Sequence, residues 1–192
     1  MTITTLCLIR HAHAHWTPDE MRPLSAEGAA AAWRVADHLA SDPIDVIVSS
    51  PYRRAIETVR PLADRLGLAI GIEPDLRERT LTTASLPPER FETAVRATWS
   101  NFGFTHPGGE TNHAALQRGV AVVRRLVRTC PGRHIVVSTH GNLLALILHH
   151  FDPTIDYAFW SALTMPDVYR LRLGDEHPHI ARRWPPSPTP PS

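Results

Sequence analysis

Hydrophobic and polar positions follow two rhythms along this chain, and the changes between them lay out the elements. Residues 6–9, Leu-Cys-Leu-Ile, form a short apolar run of strand length that stops at Arg10 and His11. Residues 17–24 hold Pro18 and Pro23 and read as a loop. Ser25 suits a helix N-cap, and 26–40 reads as a helix with Ala29, Trp33, Ala36 and Leu39 or Ala40 facing inward. Asp42-Pro43 ends it. Residues 45–49 are a second strand. Ser50 then suits a cap with Pro51 in the first helical position, and Ala55, Val59, Leu62, Ala63 and Leu66 share one face of the helix that follows. Gly67 stops that helix.

Residues 68–72 read as a short strand, and 73–88 show no clear period. A helix is predicted over 89–102, a turn cluster over 104–109, and a long helix from Glu110 or Thr111 to about Cys130. Leu116, Val120, Val123 and Leu126 or Val127 face inward along it. Residues 134–138 form a third strong strand. Residues 139–142 turn out of it into an apolar helix over 143–150. Residues 168–173 alternate and read as a further strand. After Trp184 comes Pro-Pro-Ser-Pro-Thr-Pro-Pro-Ser, a tail at 185–192 expected to be disordered, because it has nothing to bury.

Strands alternating with helices of these lengths predict an α/β fold. The expectation is a three-layer α/β/α sandwich: a doubly wound, mostly parallel sheet with a short helical lid insertion at about 79–106. Residues 1–184 are expected to form a single domain, which suits a chain of 192 residues.

Composition changes this picture in three places. Net charge is +1, so no nucleic-acid or anionic-membrane surface is expected. All 20 basic residues are arginine, so an anion site here must use Arg, His and backbone amides. Cys7 and Cys130 read as buried free thiols, which fits a cytoplasmic protein. No signal peptide is expected from the first residues. The longest apolar run, 143–148, is too short to span a bilayer. No pattern selects an oligomeric state.

The chemistry collects at strand ends. One strand runs into Arg10-His11, one into Ser49-Ser50-Pro51-Tyr52-Arg53-Arg54, and one into Thr139-His140-Gly141. In an open α/β sheet, ligands bind beyond the carboxyl ends of the strands. If these strands are parallel neighbours, Arg10, His11, an arginine of the second helix's first turn, and His140 meet at one edge. Two guanidinium forks beside helix N-termini suit a phosphate group. His11 there invites attack on phosphorus, and a carboxylic acid is needed for the leaving alkoxide. Glu78 and Glu110 are the candidates.

These residues carry a resemblance. Leu8-Ile9-Arg10-His11-Ala12 is similar to the Arg-His-Gly signature of the histidine phosphatase, or phosphoglycerate-mutase-like, superfamily. Arg22-Pro-Leu-Ser-Ala-Glu-Gly28, Ser49-Ser-Pro-Tyr-Arg-Arg-Ala-Ile-Glu-Thr58, Leu76-Arg-Glu78, Pro107-Gly-Gly-Glu-Thr111 and Val137-Ser-Thr-His-Gly141 resemble its later motifs, in the same order. The resemblance covers about residues 3–173. It implies a small phosphorylated substrate and a phosphomonoesterase working through phosphohistidine on His11. It further implies phosphoryl binding by Arg10, Arg54, His140 and Gly141, proton donation by Glu78, and no metal or cofactor. Two departures stand out: Ala12 replaces the glycine after the nucleophile, and Arg79-Thr-Leu-Thr-Thr-Ala replaces the usual continuation after the acid.

Three other readings are weighed. A phosphoglycerate-type mutase must hold its phosphoenzyme away from water, and the short segment between Arg79 and Gly108 favours hydrolysis. His11-Ala-His13-Ala-His15 has the look of a metal motif, since alternate residues of an extended segment share a face. Barrel hydrolases with that motif need about 250 residues, more than this chain offers. His13 and His15 then read as pocket-rim groups, and His106 and His113 as bystanders. A non-catalytic phospho-ligand module would dispense with His11 or His140, and both are present. Substrate choice is expected from 12–24, 79–106 and 142–166.

Overall fold

Residues 3–174 and 177–184 are described by a computed structural model. The tail at 185–192 lies outside them. Six strands form one sheet in the order β3-β2-β4-β1-β5-β6. Its centre is parallel: β1 (Thr4–Arg10) pairs with β4 (His134–Thr139), β4 with β2 (Val46–Ser49), and β2 with β3 (Ile70–Ile72). One edge is antiparallel, where β5 (Asp167–Leu173) pairs with β1 and β6 (His179–Arg182) with β5.

Alternation along β1 explains the three layers. Leu6 and Leu8 face one side, Cys7 and Ile9 the other, and all four are buried. On the Cys7 side lie α1 (Ala26–Leu39) and α2 (Arg53–Leu66). On the Leu6 side lie α3 (Pro88–Ser100), α4 (Asn112–Thr129) and α5 (Gly141–Phe151). A short α6 (Tyr157–Ser161) adds Tyr157, Phe159 and Trp160 to that side. Helix α5 is the central one. Leu143 through Leu148 are all sealed from solvent, as expected of a helix apolar on every side.

The sequence misplaces four features. The inward face of α1 is Ala31, Ala32, Val35, Ala36 and Leu39, while Ala29 and Trp33 point outward, Trp33 being 55% exposed. The alanine run at 29–32 gives little contrast, so Val35 and Leu39, one turn apart, set the phase instead. Helix α2 begins at Arg53 with Tyr52 as N-cap, so Pro51 precedes it and Ser50 is not its cap. Cys130 is only partly buried, because it ends α4. Strand β6 was not foreseen: of His179, Ile180, Ala181 and Arg182, only Ile180 favours a strand. The segment expected as an insertion, 79–106, contains α3.

Candidate active site

The three parallel strands that end in chemistry are contiguous in the sheet. In register, Arg10 lies opposite Thr139, and Ser49 opposite Ser138. The residues after each strand therefore leave the sheet side by side. The main chain ties them further: His11 N–H donates to Thr139 O at 2.9 Å, and Ser50 N–H to Ser138 O at 2.9 Å.

Arg54 lies at the centre. Its Nε donates to His11 Nε2 at 3.1 Å, its Nη2 to His140 Nδ1 at 3.2 Å, and its Nη1 to Glu20 O at 2.9 Å. A guanidinium only donates, so each ring nitrogen it meets is an acceptor. That fixes both tautomers. His11 carries its proton on Nδ1 and gives it to Ala12 O at 2.7 Å. His140 carries its proton on Nε2 and gives it to Ser50 Oγ at 2.7 Å. The two rings meet edge to face, 5.1 Å between centroids. The Tyr52 ring packs on His140 at 5.0 Å and under the Arg54 guanidinium at 4.8 Å.

Burial sets the charges. His11 is pushed down to about 3, first by desolvation and then by the nearby Arg54, Arg10 and Arg22. His140 lies well below the ordinary imidazole value, again by burial first, then by His11 and Arg54. Both imidazoles are thus neutral at pH 7. Burial also lowers Arg54 to about 10, with Arg22 the next cause, yet it stays cationic at pH 7.

Arg10 is placed by β5 and the loop before it. Its Nη1 donates to Leu163 O at 2.8 Å, and its buried Nε has no partner. A Cβ on Gly141 would fall 3.0 Å from that Nε and 3.1 Å from Cζ. Glycine at the head of α5 is what lets the guanidinium lie there. Glu78 caps the same helix: its carboxylate accepts Asn142 N–H at 3.0 Å, Leu143 N–H at 3.1 Å and Arg79 N–H at 2.9 Å. Glu110 is instead held by Arg118, through two bonds of 2.7 and 2.9 Å. Arg53 points away and pairs with Glu57.

Ala12 is fully buried, and among the described residues no non-glycine residue has a positive φ, so alanine fits there without strain. Its N–H donates to Thr58 Oγ1 at 2.9 Å. His13 bonds Ser25 Oγ through Nδ1 at 2.8 Å, and His15 packs edge to face on it. Among the described residues no three His, Cys, Asp or Glu side chains are grouped to hold a metal ion. His106 reaches Ala94 O, and His113 reaches Gln117 on the outside of α4.

Four neighbours were missed in the sequence: Ser50, Tyr52, Glu20 and Arg22. Ser50 and Tyr52 lie inside a motif whose arginine drew the attention. Glu20 and Arg22 lie in a loop without period. Burial, with the Glu20 carboxylate next, raises Tyr52 to about 12, and the bond from Arg54 Nη1 to Glu20 O ties the loop to the start of α2. Gly28 explains the loop's other anchor: a Cβ there would fall 1.9 Å from His13 O.

Known proteins resemble this chain in sequence and in fold. An uncharacterized Mycobacterium tuberculosis protein is 51% identical over 55 residues, 29% of this chain and 27% of that relative's length. The glucosyl-3-phosphoglycerate phosphatase of Mycolicibacterium vanbaalenii is 29% identical over 168 residues, 77% of this chain and 73% of that protein. A mycobacterial glucosyl-3-phosphoglycerate phosphatase solved with inorganic phosphate superposes with a TM-score of 0.76 at 25% identity, over 93% of this chain and 94% of that one. The family model of the histidine phosphatase superfamily, branch 1, matches residues 6–184, and this chain belongs to that family.

Proposed function

We propose that this protein is a phosphomonoesterase that hydrolyses a small phosphate ester through phosphohistidine on His11, with no metal or cofactor. The observation that carries the reading is Arg54 bridging two neutral imidazoles at the ends of adjacent parallel strands. His11 Nε2 has its lone pair directed into the cationic group, as an attacking nitrogen needs. The entering phosphoryl group takes the place of the Arg54–His11 hydrogen bond. Arg54, Arg10, His140 and the Gly141 end of α5 then receive its oxygens. Positioning and fixed positive charge are most of what phosphoryl transfer requires.

In the first step the P–Nε2 bond forms and the P–O bond to the leaving group breaks. The leaving oxygen takes a proton from Glu78, which enters this step as the carboxylic acid and leaves it as the carboxylate at the head of α5. In the second step water attacks phosphorus, Glu78 takes its proton, the P–N bond breaks and inorganic phosphate leaves. The segment 79–106 serves as lid. Its one helix, α3, has 13 residues, which favours water access and hence hydrolysis over transfer. No helix among the described residues is long and apolar enough to cross a membrane, which is consistent with a cytoplasmic site of action.

The test is hydrolysis of p-nitrophenyl phosphate. Activity should persist in EDTA and fall more than about a thousandfold in His11→Ala. Full activity in that variant sinks the reading. A phosphoglycerate-type mutase would instead exchange phosphate on its substrate without net release, which a phosphate-release assay detects.

A further inference from the structure

We propose that Arg22 is a phosphoryl-binding residue of this site, a third guanidinium that enters from the loop at residues 17–24. The assignment rests on the proposed function and on four observations.

First, the loop is fastened onto the site. Arg54 Nη1 donates to Glu20 O at 2.9 Å, two residues before Arg22. Leu24 N–H donates to Glu57 Oε2 at 2.8 Å, two residues after it. Second, the side chain is held from behind. Its Nη1 donates to Thr17 O at 3.1 Å and to Asp19 O at 3.2 Å, both within its own loop. Third, its Nε is buried without a partner, as is that of Arg10. A buried donor left unpaired is costly, and arginine in particular is built to give two parallel bonds to one oxyanion.

Fourth, the arginine charge is felt across the whole site. It lowers His11, Arg54 and His140 alike, and for Arg54 it is the largest effect after burial. Two guanidiniums that repel one another in a partly buried place are stabilised by an anion between them. Of the nearby carboxylates, Asp19 is engaged, its Oδ1 accepting Met21 N–H at 2.8 Å. A dianionic phosphoryl group is the ligand whose charge and oxygen count match the unpaired donors. With Arg22 included, the group is gripped by strand end, helix start and loop, from three directions.

The test measures binding of inorganic phosphate by calorimetry and as a competitive inhibitor, in wild type, Arg22→Gln and Arg22→Lys, with the thermal midpoint of each variant as the folding control. Arg22→Gln should bind phosphate about tenfold more weakly or worse while keeping its thermal midpoint, since one charge-assisted bond is lost. Arg22→Lys should recover part of that loss, because it restores charge without the fork. Phosphate binding unchanged in Arg22→Gln overturns the proposal, whatever happens to turnover. A wild type that neither binds phosphate nor hydrolyses an ester overturns the functional reading, and this one with it. A wild type that does both, beside an Arg22→Gln equal to it, overturns this one alone.

Discussion

His11 and Arg54 are 9% and 4% exposed, while Trp16, five residues along the chain from His11, is 79% exposed. The floor of the site hangs from strand ends and helix starts in the middle of the sheet, and its polar atoms bond one another: Arg54 to both imidazoles, His140 to Ser50. The rim, residues 13–24, is a loop held at a few points: Ser25 on His13, Glu20 O on Arg54, and Leu24 on Glu57. A floor of this kind has its geometry settled by the fold as a whole. A rim of this kind has most of its side chains free to change without disturbing the floor.

That contrast is open to breaking at several strengths. After His11→Ala, the largest effect is expected at another residue of the floor, Arg54→Gln, which should lower kcat/KM by about 10²- to 10³-fold, roughly 3–4 kcal/mol of transition-state stabilisation. A loss below tenfold, measured with p-nitrophenyl phosphate, would mean that Arg54 is not the centre of the clamp.

Acid should find the floor next. His11 is held at about 3 in the folded protein against 6.5 when unfolded. Between those values the unfolded chain binds a proton that the native one refuses. Stability therefore rises with pH across the window and is lost as pH falls through it. Thermal midpoints recorded from pH 7 down to pH 4 should fall less steeply for His11→Gln than for wild type. Parallel curves would show that His11 is not buried in neutral form.

Ser50→Ala should cost about 1–3 kcal/mol in urea denaturation, because His140 is left with a buried N–H and no acceptor. A neutral result there would place the His140 proton on its other nitrogen. The smallest effect is expected on the rim. Trp16→Ala should change stability by no more than about 0.5 kcal/mol and leave phosphate inhibition as in wild type. A loss at Trp16 as large as that at Arg54 would erase the distinction between the two regions.

The same contrast decides what could be read from the sequence. The strand ends were legible because apolar runs break off abruptly at Arg10-His11, Ser49-Ser50 and Thr139-His140, and periodicity registers such breaks directly. The α/β rhythm predicts parallel strands; that these three are neighbours is a condition of the sequence reading, and the sheet order β2-β4-β1 meets it. The position in the chain leaves open which arginine of the second helix's first turn is used; the resemblance implies Arg54, and Arg54 is the one that turns inward. Ser50 misled because Ser before Pro has the composition of a helix start, and no local rule detects a histidine 90 residues away. Trp33 misled because an alanine-rich helix offers several phases of similar apolarity. Glu20 and Arg22 were invisible for a different reason. Their positions depend on where a loop without period is pinned by distant groups, and pinning of that kind leaves no rhythm in the chain.

Gly28 has one more consequence. With His13 O only 1.9 Å from where a Cβ would stand, the loop and the first turn of α1 are built as one piece. Anyone seeking to alter which ester this site accepts therefore inherits a partition. His13, Ser25 and Gly28 act as pins, and substitutions at them should cost the protein its frame, whereas Glu20 and Leu24 hold the loop through their main chain. Positions 14–18, with Trp16 outermost, are where a library of variants has room to explore.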